Sequence, residues 1–185
     1  MTLFGDGLEA AMQKAFTRPA PKRAPAQMRY LVKQFKGTKP VAQMLQISQR
    51  TVERYVKGQI KKPRPDLAAR LEREVKKRWQ PQIRAKARQQ AATTGGIVID
   101  TRARIGYTAP IGSTDEDRLR HLTVALPPRY AARLFEAQEQ GATEQHLKRI
   151  AAEALKEVYF QDGGRRAGQL EEVRFTDIEH LEFDL

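Results

Sequence analysis

Residues 39–58, KPVAQMLQISQRTVERYVKG, decide how the first half of the chain is read. Val41, Leu45, Ile47, Val52 and Tyr55 have the spacing of two short helices that share a core, and Ala42 is the small residue that lets their axes approach. Ser48 is positioned to N-cap the second helix, its side-chain oxygen accepting from an N–H early in the first turn. Gln49, Arg50, Glu53 and Arg54 are then left on the outer face. Gln46 occupies the turn, where Gly is common in such motifs, so either a side chain there at positive φ carries a small strain or the turn differs.

Two helices meeting at an angle, the second with a polar start, are what a helix-turn-helix needs to place one helix in a DNA major groove. Gln pairs well with adenine and Arg with guanine in that groove, while Ser48, Lys57, Lys61, Lys62 and Arg64 suit phosphate contacts. The alternative is an ordinary helical hairpin inside a core, and the basic surroundings argue against it. The motif implies DNA contact without purpose, since repressors, recombinases and replication proteins share it.

The charge distribution supports that contact. The 185-residue chain has a formal net charge of +12. Residues 1–106 hold 24 Lys and Arg against 7 Asp and Glu, and residues 107–185 hold 10 against 15, so the halves carry +17 and −5. A surplus this concentrated repels itself and is the footprint of a phosphate-bearing partner, with nucleic acid ahead of an anionic membrane. No cysteine is present, which excludes a disulfide framework, a thiolate zinc site and a thiol nucleophile. The apolar runs are too short to span a bilayer, and the early Asp6 and Glu9 are unlike a secretory signal, so a cytoplasmic protein without membrane contact is expected.

Outward from the motif, residues 3–16 place Leu3, Phe4, Leu8, Met12 and Phe16 on one stripe of an amphipathic helix, available to its own domain or to a partner. The stretch 17–26, with Pro19, Pro21 and Pro25 among Arg18, Lys22 and Arg23, reads as a basic linker. Residues 27–92 form the helical DNA-binding domain, with a break at 61–65 and Pro81 ending or kinking a charged helix. In residues 93–185 the period changes. Ile97, Ile99, Ala103, Ile105 and Tyr107 alternate with polar residues, and so do Leu122, Val124 and Leu126, which predicts a long hairpin joined by PIGSTDED. Two helices follow, over 128–140 and about 143–160, with Gly141 as a C-cap between them; Val173, Phe175, Leu181 and Phe183 suggest further strands. The expected architecture is α+β: an N-terminal all-α helix-turn-helix DNA-binding region, then a small α+β domain with a β-hairpin and two helices.

The run from 122 to 160 also resembles a ribbon-helix-helix unit, with His121, Thr123 and Ala125 as its groove-facing positions. Their lack of charge favours a packed domain or dimerisation module instead. No catalytic constellation is visible. There is no phosphate-binding loop, no HExxH and no G-x-S-x-G; Asp115, Glu116 and Asp117 are consecutive, and His121, His146 and His180 lie on separate elements without ligand spacing. The chain does not read as an enzyme, and no intrinsic cofactor or metal is expected.

An amphipathic start, SQRTVERYVKGQIKKPRPDLAARL, and IGYTAPIGSTDEDRLRHLTVALPPRYAARLFEAQ together resemble the Streptomyces telomere-protecting terminal proteins along the whole chain. The resemblance implies a protein joined covalently to the 5′ ends of linear replicons, whose threonine hydroxyl primes end-patching DNA synthesis. The matching residue is Thr114. It further implies telomeric DNA, a telomere-associated protein on the 3′ overhang and a DNA polymerase as partners, with Mg2+ or Mn2+ in the polymerase, and homodimerisation is open. A narrow, exposed loop over 108–118 with small neighbours suits a primer, but Ser113 and Thr108 are comparable choices and Ser-Thr-Asp is common turn chemistry, so residue chemistry alone leaves the choice open. A dimeric helix-turn-helix transcriptional regulator is the competing reading.

Overall fold

A computed structural model describes residues 3–108, 115–165 and 170–185. Among them the chain is mixed α+β, with eight α-helices and one antiparallel sheet of three strands. In chain order these are α1 (Leu3–Lys14), α2 (Ala24–Gln34), α3 (Thr38–Leu45), α4 (Gln49–Val56), α5 (Pro65–Arg78), α6 (Pro81–Gln90), β1 (Ile97–Thr108), β2 (Asp115–Leu126), α7 (Pro128–Glu139), α8 (Glu144–Leu155) and β3 (Glu172–Asp184). Short π-helical turns, Ala91–Gly95 and Lys156–Phe160, extend α6 and α8. Two compact units result, Thr17–Pro81 and Met1–Phe16 with Gln82–Leu185.

The helical unit closes around Met28 and Leu31 of α2, Val41, Ala42 and Leu45 of α3, Val52 and Tyr55 of α4, and Leu67, Leu71 and Val75 of α5. Each large apolar side chain so buried contributes about 1.5–3 kcal/mol. Pro25 and Pro65 lie in the first turns of α2 and α5, where a missing N–H costs nothing. Asp66 starts α5 and Lys76, Lys77 and Arg78 end it, each sign complementing the helix dipole. The sequence between 17 and 26 differs from a free linker. Thr17 and Gln80 exchange hydrogen bonds of 3.0 and 2.9 Å, Trp79 Nε1 donates to the Arg18 carbonyl at 2.9 Å, and α2 already begins at Ala24. Prolines forbid ladder bonds but not side-chain clasps at either end.

In the other unit the strand order is β2-β1-β3, so the tail forms one strand and pairs with β1 rather than extending the hairpin at β2. Ile97, Ile99, Ala103 and Ile105 of β1, Leu122 and Leu126 of β2, and Val173, Phe175 and Phe183 of β3 face a core completed by Leu134 and Phe135 of α7 and Leu147, Ile150 and Leu155 of α8. Gly96 is required before β1: it has φ +70°, and a Cβ there would stand 2.3 Å from the Leu126 carbonyl oxygen. Gly141, at φ +72°, follows α7 as a left-handed cap, and Thr143 N-caps α8 by accepting from His146 N.

Helix α1 belongs to this sheet unit. Phe4, Leu8, Ala11 and Met12 enter its core, and Phe4 meets Phe175 edge-on at 5.9 Å. Glu144 accepts from the backbone N–H of Phe4 at 2.6 Å, satisfying an orphan donor of the first turn. Arg84 of α6 forks onto Glu9 through bonds of 2.8 and 2.7 Å. These contacts and the burial of Ala91 join α6 to the sheet unit, so the compact helical unit stops at 81 and not at 92. The stretch resembling a ribbon-helix-helix has the order strand, helix, helix, but β2 is paired along its length with β1 of the same chain.

Candidate nucleic-acid interface

The connection between α3 and α4 is built from the local sequence. Gln46 ends α3 at φ 54°, ψ 48°, the left-handed conformation in which its N–H bonds back to the Gln43 carbonyl at 3.2 Å. This is the strained non-glycine turn anticipated above. Ile47 N then donates to Ala42 O at 3.0 Å. Ser48 is extended and caps α4, its Oγ accepting from Thr51 N at 3.2 Å. Buried Val52 and Tyr55 pin one side of α4 to the core and turn the opposite side outward.

That outer side carries Ser48, Gln49, Arg50 and Arg54, all exposed, with Glu53 half-buried. Gln49 Nε2 donates to Glu53 Oε1 at 3.0 Å, which leaves the Gln49 carbonyl oxygen and the second Glu53 oxygen for an external donor. Arg50, Glu53, Arg54, Lys57 and Gln59 line one shallow depression of about 530 Å³. Neither Arg50 nor Arg54 has a carboxylate partner among the described residues.

The basic residues that follow divide. Arg64 precedes α5 and lines a second depression with Ser48, Thr51 and Arg70, beside the start of α4. Lys61 and Lys62 line a different groove, shared with Lys22, Arg23 and Arg29. Contiguity in sequence therefore suggested a single 57–64 cluster where the fold distributes Lys57, Arg64 and the Lys61/Lys62 pair over three depressions. Arg29 and Arg70 were missed because each lies on a helix whose orientation only the tertiary core determines. Thr114, like Ser113, lies outside the described residues. Of the threonines weighed with it, Thr108 ends β1, and its carbonyl accepts from Glu171 N at 2.9 Å.

The sheet holds a constellation that linear spacing hid. His121 on β2 and His180 on β3 both oppose Arg102 of β1, and both imidazoles lean to Asp100, their Nε2 atoms 3.3 and 3.4 Å from the same Oδ1. Thr123 donates to the other oxygen at 2.6 Å. That hydrogen bond, more than the two histidines, holds the Asp100 carboxyl below the ordinary carboxylate range against the opposing effect of burial. Among the described residues no three His, Cys, Asp or Glu side chains form a group suited to a metal ion, and no helix is long and apolar enough to cross a membrane.

Comparison with protein-family models, curated proteins and solved structures finds no match to this chain.

Proposed function

We propose that this chain is a terminal protein, in which α3 and α4 act as a helix-turn-helix on duplex DNA and Thr114 supplies the hydroxyl that primes synthesis at a replicon end. The observation that carries the DNA reading is the outer side of α4: Arg50 and Arg54 stand exposed without carboxylate partners among the described residues, beside Gln49 and Glu53, on a helix anchored by its cap and core contacts. Arg suits guanine, Gln suits adenine and Glu suits the cytosine amine, whereas a solvated helix face would place carboxylates against those arginines. Ser48, Lys57, Lys61, Lys62 and Arg64 take the phosphates.

The priming half rests on the sequence resemblance. Thr114 directly precedes the first residue of β2. In the proposed step its Oγ attacks the α-phosphorus of a deoxynucleoside triphosphate, a Thr–O–P ester forms, pyrophosphate leaves, and the hydroxyl proton passes to the polymerase site. The divalent ions of that polymerase lower the hydroxyl pKa and clamp the nucleotide. This chain supplies the attacking oxygen alone, and a telomere-associated protein on the 3′ overhang brings it to the end.

Incubation with polymerase, divalent metal and labelled deoxynucleotides tests the reading. Wild type becomes labelled, Thr114→Ala does not, and both bind duplex DNA equally. Equal labelling of the two removes Thr114 from the role. Absence of label on both, with DNA binding retained, favours a dimeric transcriptional regulator, whose recovery from nuclease-treated cellular DNA would show the mass of the unmodified chain.

A further inference from the structure

The groove between the start of α2 and the segment after α4 is a feature that the recognition helix leaves unexplained. It encloses about 740 Å³ and is lined by Lys22, Arg23, Arg29, Lys61 and Lys62, with Glu72 as its single carboxylate. Glu72 is itself paired with Lys76 at 2.8 Å. None of the five cations forms an ion pair among the described residues, so five like charges share one concavity without compensation. Such crowding opposes folding and persists where a polyanion relieves it.

The groove walls are tied to the helical unit by hydrogen bonds. The Arg18 carbonyl is held by Trp79 and Thr17 by Gln80, while α2 starts at Ala24, leaving Lys22 and Arg23 on a short span anchored at both ends. Arg29 Nε donates to the Val56 carbonyl at 3.0 Å and so joins this wall to the last turn of α4. From there the backbone leads through Gly58, which lines the groove, and Gln59, which lines the depression holding Arg50 and Arg54. Cations therefore continue from the outer side of α4 into the groove.

We propose that this groove is a phosphate track for the backbone of the DNA duplex read by α4, with the Pro-rich segment as one wall. The proposal rests on the DNA reading of α4 and deepens it: Lys22, Arg23 and Arg29 become contacts, and the basic stretch ahead of α2 acts as a rigid clamp. Partner chemistry follows from the lining, which offers cations to phosphate oxygens. The track therefore adds affinity without sequence preference.

The test uses the full chain and a labelled random-sequence duplex of about two helical turns, with fluorescence anisotropy from about 50 to 200 mM salt. Each phosphate contact contributes about 0.9 to the slope of log affinity against log salt, so K22Q/R23Q lowers that slope by about 2. K61Q/K62Q does the same, and K33Q/K36Q, which removes equal charge outside the groove, leaves it nearly unchanged. R50A/R54A weakens binding independently. An unchanged slope in both groove variants, with R50A/R54A still weakened, overturns the track and spares the α4 reading. An equal fall in K33Q/K36Q also overturns it, because diffuse charge would then account for the effect. A lowered slope with R50A/R54A inert removes the α4 reading and with it the track as an extension of that site, although the groove then binds phosphate by itself, while a wild type that binds no duplex removes both. Thermal melts of every variant confirm that the fold is retained.

Discussion

The two units use charge in opposite ways. Residues 17–81 contain 18 Lys and Arg against 4 Asp and Glu, a net +14, whereas the remaining residues balance to −2. In the sheet unit the cations are tied into the fold: Lys14 meets Glu182, Arg84 meets Glu9, Arg88 meets Glu139, Arg129 meets Glu157 and Arg133 meets Glu153. In the helical unit the described pairs are Lys76 with Glu72 and Arg78 with Glu74, both one turn apart on α5. Charge in one unit completes a structure, and in the other most of it is left unpaired among the described residues.

The largest expected effect comes from a site where charge plays no part. Gly96→Val puts a Cβ against the Leu126 carbonyl at positive φ and costs on the order of 3 kcal/mol. Urea denaturation followed by circular dichroism reads it. DNA affinity under native conditions stays at the wild-type value if binding belongs to the helical unit, and a parallel loss of affinity would break the division of labour.

Removing one charge from each unit sharpens the contrast. The Arg84 side chain is 7% exposed and that of Glu9 27%, so Glu9→Gln leaves a nearly buried guanidinium half-compensated and destabilises by about 2 kcal/mol. Arg54→Gln changes stability by less than about 0.5 kcal/mol. Paired denaturation curves decide it, and equal losses would show that Arg54 is structural.

The local grammar of these units is legible in the sequence and their long-range closure is not. Ser48 marks the start of α4 because capping is chemistry between neighbours, and the alternation from Ile97 to Ile105 marks β1 because a half-covered strand must alternate. The pairing of β3 with β1 is invisible to periodicity, since Phe175 and Phe183 would alternate equally well beside β2. Likewise, nothing near Phe4 announces that Glu144 will cap α1, and nothing near Arg18 announces Trp79. For the candidate site, Gln49, Arg50 and Arg54 are readable from helical spacing, while the groove cations Arg29 and Lys61 meet only after α2 and α4 pack. Two of the three histidines set aside for lack of spacing, His121 and His180, converge on Asp100 because neighbouring strands bring distant residues together.

The smallest effect concerns that carboxylate. Its pKa is depressed in the fold, so ionised Asp100 adds stability that is present above the unfolded-chain value of 3.8 and fades as pH falls through the lower folded value. Thr123→Val removes the leading cause of the depression. The gap in urea midpoint between wild type and this variant is therefore open at pH 7 and narrows in acid below the carboxylate range. A gap independent of pH would assign Thr123 a purely steric role.

Helix α1 has one more consequence, for the order of assembly at the ribosome. Its Lys14 finds Glu182 across 168 positions, and its Phe4 rests on Phe175 and Phe183, so α1 has no seat until β3 has been translated. The helical unit draws its core from residues 24–75 and has every partner it needs far earlier. During synthesis a finished domain thus trails a bare greasy stripe of Phe4, Leu8 and Met12, the natural foothold for a chaperone on the nascent chain.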